Sequence, residues 1–130
     1  MSKKKPLTVN KPPSQKEIRD WHSRIAEYGC VVNRENKYNF HIHHCTGRKK
    51  RVVMGIGKYV IGQWFCFPIT VEMHCPNHSH EYHIHKRKNA FTQKYGAQCD
   101  LFYAMCQELK QDGPLPFDAD VMAAIMETGV

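Results

Sequence analysis

The stretch His41-Ile42-His43-His44-Cys45 runs through Thr46-Gly47 directly into four cations, Arg48, Lys49, Lys50 and Arg51. Imidazole suits zinc, copper, iron or nickel, and a second imidazole beside a metal can take a proton near neutral pH. Cations alongside suit an anionic target. A second run, Met73 to His85, carries five histidines at 74, 78, 80, 83 and 85 and ends in Lys86, Arg87 and Lys88. Together these residue types allow metal-assisted phosphodiester hydrolysis. A divalent ion polarises the phosphate, an imidazole deprotonates water, and cations hold the chain in line. Neighbouring strand residues face opposite ways, so His43 and His44 are better divided between metal and water than joined on one tetrahedral ion.

Such a site must sit on a modest core. The 130 residues are 42% hydrophobic, enough for one domain. With 19 Lys and Arg against 12 Asp and Glu, the formal charge is +7 and a polyanion partner such as DNA is favoured. Six cysteines without a CxxC pair, no apolar leader and no long apolar run predict reduced thiols, a cytoplasmic location and no membrane partner. Neither a Walker-type phosphate loop nor a GxSxG elbow is found.

The elements follow from local pattern. Residues 1–13, with Lys3, Lys4, Lys5, Lys11 and three prolines, read as a flexible basic arm. Ser14 and Glu17 form a capping box for a helix over 15–28, with Ile18, Trp21, Ile25 and Tyr28 as its apolar stripe and Gly29 ending it. His22, beside that stripe, reads as a packing or surface residue. Cys30 to Val32 could begin a short strand, Arg34 to Asn39 a polar turn, and Phe40 to Cys45 a strand. Residues 51–61 read as a loop or irregular hairpin tip, and 61–71 as a second strand with Pro68 at an edge or bulge. A histidine-bearing helical segment follows; His74 and His78 would share a face there. Residues 89–110 read as helix divided at Gly96, residues 112–116 as a break, and Asp118 as the cap of a final packing helix. The fold class is thus α+β: strand, hairpin, strand and helical segment, with an N-terminal helix and C-terminal helices. The domain spans 14–111, and 112–130 form an extension.

Gly29-Cys30, Ile42-His43-His44, Gly47-Arg48-Lys49, Ile61-Gly62-Gln63-Trp64, Phe67-Pro68-Ile69, Glu72, His74, Ile84-His85, Phe91, Tyr95-Gly96 and Leu101 together resemble the HNH, or ββα-metal, nucleases. Within that group the sequence is most similar to the phage recombination-enhancement nucleases, the RecA-dependent Ref family, over roughly residues 14–105. The resemblance implies a small ββα-metal core, with His43 as metal ligand, His44 as general base, and His74 and His85 as further ligands. His78 competes with His85 for the last role. It also implies one divalent ion (Mg, Mn or Zn, with Ni also accepted by imidazoles), single- or double-stranded DNA as substrate, a RecA-type filament as partner, and the cytoplasm of a phage-infected bacterium. Arg48, Lys49, Lys50, Arg51, Lys86, Arg87 and Lys88 would clamp the DNA backbone.

One departure stands out. Where many relatives hold a structural zinc, the four positions here are Cys30, Asn33, Thr70 and Met73, a poor ligand set. That zinc is therefore not expected, unless Cys75 and His78 join Cys30 in a rebuilt site. The alternative function is a catalytically inactive or zinc-stabilised DNA-binding module acting in recombination.

Overall fold

A computed structural model of the chain describes residues 7–33 and 38–130. The elements run β1 (Leu7–Thr8), α1 (Gln15–Tyr28), β2 (Phe40–His44), β3 (Arg51–Met54), β4 (Gly57–Val60), β5 (Cys66–Thr70), α2 (Val71–His74), α3 (Lys88–Tyr95), α4 (Gln98–Leu109), a 3₁₀ turn (Lys110–Asp112) and α5 (Ala119–Glu127). The class is α+β. Two small sheets form it: β2 pairs antiparallel with β5, and β4 lies between antiparallel β3 and parallel β1.

Helix α1 starts as the capping box requires, with Ser14 Oγ accepting from Glu17 N–H and Glu17 reaching back to Ser14 N–H. Its apolar stripe buries Trp21 and Ile25 against β5 and the turn before it, where Phe67 and Ile69 of the strand and Phe65 of the turn are wholly enclosed. The Trp21 indole donates to the Trp64 carbonyl at 3.0 Å and meets Trp64, Phe102 and Phe117 edge-on. Helices α4 and α5 complete the core with Phe102, Met105, Cys106, Val121, Ala124 and Ile125. Arg24 binds the C-terminal end of α4 to α1: its guanidinium donates to the carbonyls of Leu109, Gly113 and Pro114 at 2.7–2.8 Å. Those carbonyls lie where a helix end leaves acceptors unpaired.

Several boundaries differ from the sequence expectations. The stretch read as a mobile arm is tied down from Leu7 onward, since β1 pairs with β4 and the Asn10 side chain bonds both N–H and C=O of Val60. The cations Lys3, Lys4 and Lys5 lie outside the described residues, as do 34–37 of the expected polar turn. Cys30 to Val32 forms no strand; its tie to the sheet is Val31 N–H donating to the Pro68 carbonyl at 3.0 Å. Residues 51–60 of that expected loop are a regular hairpin, turned at Gly55 and Ile56.

The second strand is shorter than expected, because residues 61–65 form a turn. The N–H groups of Ile61 and Gly62 both reach the Lys50 carbonyl, and a Cβ on Gly62 would overlap the backbone of Gly47 and Arg48. Strand pairing thus begins at Cys66. The helical segment after the strand is also shorter. Helix α2 is one turn, stopped at Cys75 with φ −68° and ψ 132°. A residue before proline is driven out of the helical region, and Pro76 follows. His78 consequently shares no helical face with His74.

Candidate functional site

Strand β2 divides its histidines between two faces. Alternation puts His41 and His43 on one side and His44 on the other. On the first side His43 meets His74, the last residue of α2, and His85, which lies just before α3. One ligand nitrogen from each of the three lies within 4.8 Å of the other two, and their ring centroids are 5.1 Å apart in every pair. His43 is buried, His74 half-buried and His85 exposed, so the group forms a bowl that opens to solvent. Three convergent imidazoles with one open side fit a zinc-like cation that keeps a position for water or substrate.

Neighbouring groups fix the orientation of these rings. Gln98, in the first turn of α4, places Oε1 2.9 Å from His43 Nε2. An amide oxygen only accepts, so Nε2 carries the hydrogen and Nδ1 keeps its lone pair for a cation. His41 Nδ1 and His74 Nδ1 lie 2.9 Å apart, one donating to the other. When His74 donates, its Nε2 is the free ligand atom. His83 is wholly buried and fully engaged: Nε2 donates to the Cys75 carbonyl at 2.9 Å, while Nδ1 accepts from the N–H groups of His85 and Lys86. It thereby holds the loop that presents His85. The Lys86 ammonium closes the same loop onto the carbonyls of Pro76 and His78. His78 itself is exposed and belongs to no metal-competent group among the described residues.

Burial is the main reason these imidazoles stay neutral. It lowers His43 to about 4; the Gln98 bond opposes the shift, and the charges of His74, His85 and His44 add to it. His74 is lowered to about 4 by burial and then by His85, His41, His83 and His44. His85, at the exposed rim, is lowered too, by the partial desolvation it meets there and then by His83 and Lys88. At neutral pH all three present lone pairs to a cation.

The other face holds a second group. His44 lies opposite Cys66 in the β2–β5 register, and His22 covers them from α1. One ligand atom from each of His22, His44 and Cys66 lies within 4.8 Å of the others. Nε2 of His22 and Nε2 of His44 are both buried without a hydrogen-bond partner. His44 is lowered to about 4 by burial, then by the charges of Arg48 and His22, against an opposing bond with Gln63.

The cations border this region. Arg48, Lys49, Lys50, Arg51, Lys86, Arg87 and Lys88 are all exposed. Lys50 and Arg51, from the first basic run, and Lys88, from the second, line one cleft of about 510 Å³ with Cys45, Thr46 and Glu127. Lys88 also lines the adjoining groove with His85, Lys86 and Arg87. The two runs therefore meet beside His85. Elsewhere, Asn33, Thr70 and Met73 line a separate cleft, and Cys30 is buried in the core. Cys30, Cys75 and His78 belong to neither metal-competent group.

Sequence reasoning named His43, His74, His85 and His44 but missed the roles of His41, Gln98, His22 and Cys66. His41 was accessible through the two-residue strand period, and Cys66 through pairing with His44. Gln98 and His22 reach their positions only by tertiary packing. No family model, no curated protein and no solved structure matches the chain.

Proposed function

We propose that the chain is a metal-dependent DNA endonuclease whose small ββα-metal, HNH-like core is made of β2, β5 and α2. The observation that carries this reading is the meeting of His43, His74 and His85, from three separate stretches, within 4.8 Å at the edge of two basic runs. A divalent ion held by these three supplies positive charge to a phosphate oxygen and to the departing oxyanion. His44, neutral at pH 7, is the base this reading assigns to the attacking water, and its Nε2 must be uncovered to act, being buried on the face of β2 opposite the three imidazoles. Arg48, Lys49, Lys50, Arg51, Arg87 and Lys88 hold the phosphates without reading bases. Lys86 adds charge at the rim while closing its loop. The reading carries with it the resemblance to phage recombination-enhancement nucleases, a RecA-type filament as partner, and the bacterial cytoplasm as the place of action. No helix among the described residues is long and apolar enough to cross a membrane.

One observation favours a second reading. His44 Nε2 is enclosed with His22 and Cys66, which suits a structural role in a metal-stabilised DNA-binding module. A cleavage assay on labelled single- and double-stranded DNA separates the two. It is run with Mg²⁺, Mn²⁺ or Zn²⁺, with and without a RecA-type filament. The nuclease reading expects metal-dependent cleavage that His44→Ala abolishes while DNA binding persists. Binding without cleavage in every lane supports the module instead, and cleavage by His44→Ala at the wild-type rate removes His44 as the base.

A further inference from the structure

We propose that His22, His44 and Cys66 form a second metal site, chemically distinct from the three-imidazole bowl and suited to zinc or cuprous ion. Three elements build it independently. β2 and β5 put His44 and Cys66 directly opposite each other in register, where side chains share a face, and α1 lays His22 across them. The two rings stand edge to face at 5.7 Å.

Buried polar atoms in folded proteins nearly always have partners, and an ion is one of the explanations when they do not. Here two Nε2 atoms lack one side by side, and Cys66 Sγ meets the Gln63 carbonyl at 3.5 Å with the Trp21 indole also beside it. A cation between them would satisfy both nitrogens and the sulfur at once. Thr46 Oγ1, two residues beyond His44, is also buried without a partner.

The donor set decides the type of ion. Two imidazoles and one thiol are softer than the all-imidazole bowl, so zinc and cuprous ion are favoured over magnesium or manganese. Binding releases the thiol proton to solvent, leaving a thiolate on the metal. The positive charge of Arg48 is felt at His22, His44 and Cys66 alike, and the thiolate offsets it. A corollary rests on the nuclease reading: zinc here occupies the His44 nitrogen assigned to proton transfer, so zinc beyond the first equivalent would slow cleavage.

Cobalt(II) titration of the full chain tests the site without reference to activity. The expected result is a second bound equivalent and a near-ultraviolet thiolate-to-cobalt charge-transfer band. The band should vanish in Cys66→Ala and collapse in His22→Gln, while persisting in His85→Ala and in Cys75→Ala. Cys66 lies in the core, so should Cys66→Ala fail to fold, His22→Gln at a half-buried helix position still decides. A wild-type protein without the band, or a band that survives His22→Gln unchanged, overturns the proposal. Failure of the nuclease reading would leave the band intact, and absence of the band would leave the DNA cleavage assay unaffected.

Discussion

The imidazoles of His43, His44 and His74 are each held at about 4 chiefly by burial. An unfolded histidine takes up its proton near pH 6.5. Between about 6.5 and 4 the unfolded chain therefore binds more protons than the folded one, and folding stability rises with pH across that window. The stabilisation is complete above 6.5 and is lost as pH falls through the folded values. With metal removed by chelator, the urea midpoint should be lower at pH 5 than at pH 7.5. A midpoint that is flat or rises toward acid would contradict the buried neutral state. A second consequence concerns Gln98, which fixes the tautomer of His43 from α4. Gln98→Leu should weaken metal binding about 10- to 100-fold, the usual cost of losing such an orienting partner. Unchanged calorimetric affinity would show that Gln98 does not position the ligand.

The loop before β3 and the turn before β5 hold each other in place, and glycine is what allows them to touch. A Cβ at Gly62 would strike the backbone of Gly47 and Arg48, which cannot swing aside as a side chain can. Gly62→Ala should thus destabilise the fold by about 1–3 kcal/mol, in line with overpacking of a tight site. Gly47→Ala is a poor control, because its φ is +90°. Denaturant unfolding of Gly62→Ala at the wild-type midpoint would show that the turn relaxes freely. This close approach also explains why the strand begins at Cys66 and not at Ile61. Ile61 to Trp64 has strand-like composition, but its N–H groups are taken by Lys50 and by the turn itself. Where the signals are local, the sequence was legible: the Ser14–Glu17 box, the break at Gly96 and the Asp118 cap all stand where expected. The extent of α2 is set by Pro76 after Cys75, a local signal that overrides the helical spacing of His74 and His78.

Among the described residues of this +7 chain, the two basic runs meet along the clefts that Lys88 lines. That convergence joins residues nearly forty positions apart and depends on tertiary packing, whereas the grouping of histidines was half visible in the β2 alternation. Binding to DNA should weaken steeply with salt, and Lys50→Ala should reduce the slope of log affinity against log salt by about 1, as expected for one phosphate contact. A slope unchanged in that variant would place the phosphates elsewhere. The central claim is that His43, His74 and His85 serve one metal in phosphodiester cleavage. Its most direct test is the Mn²⁺ dependence of DNA cleavage by the wild type, His85→Ala and His78→Ala. His85→Ala should lose at least about 100-fold in rate, as for removal of a group acting in the transition state, with His78→Ala near the wild type. Cleavage by His85→Ala at the wild-type rate, or cleavage that needs no metal, would contradict it.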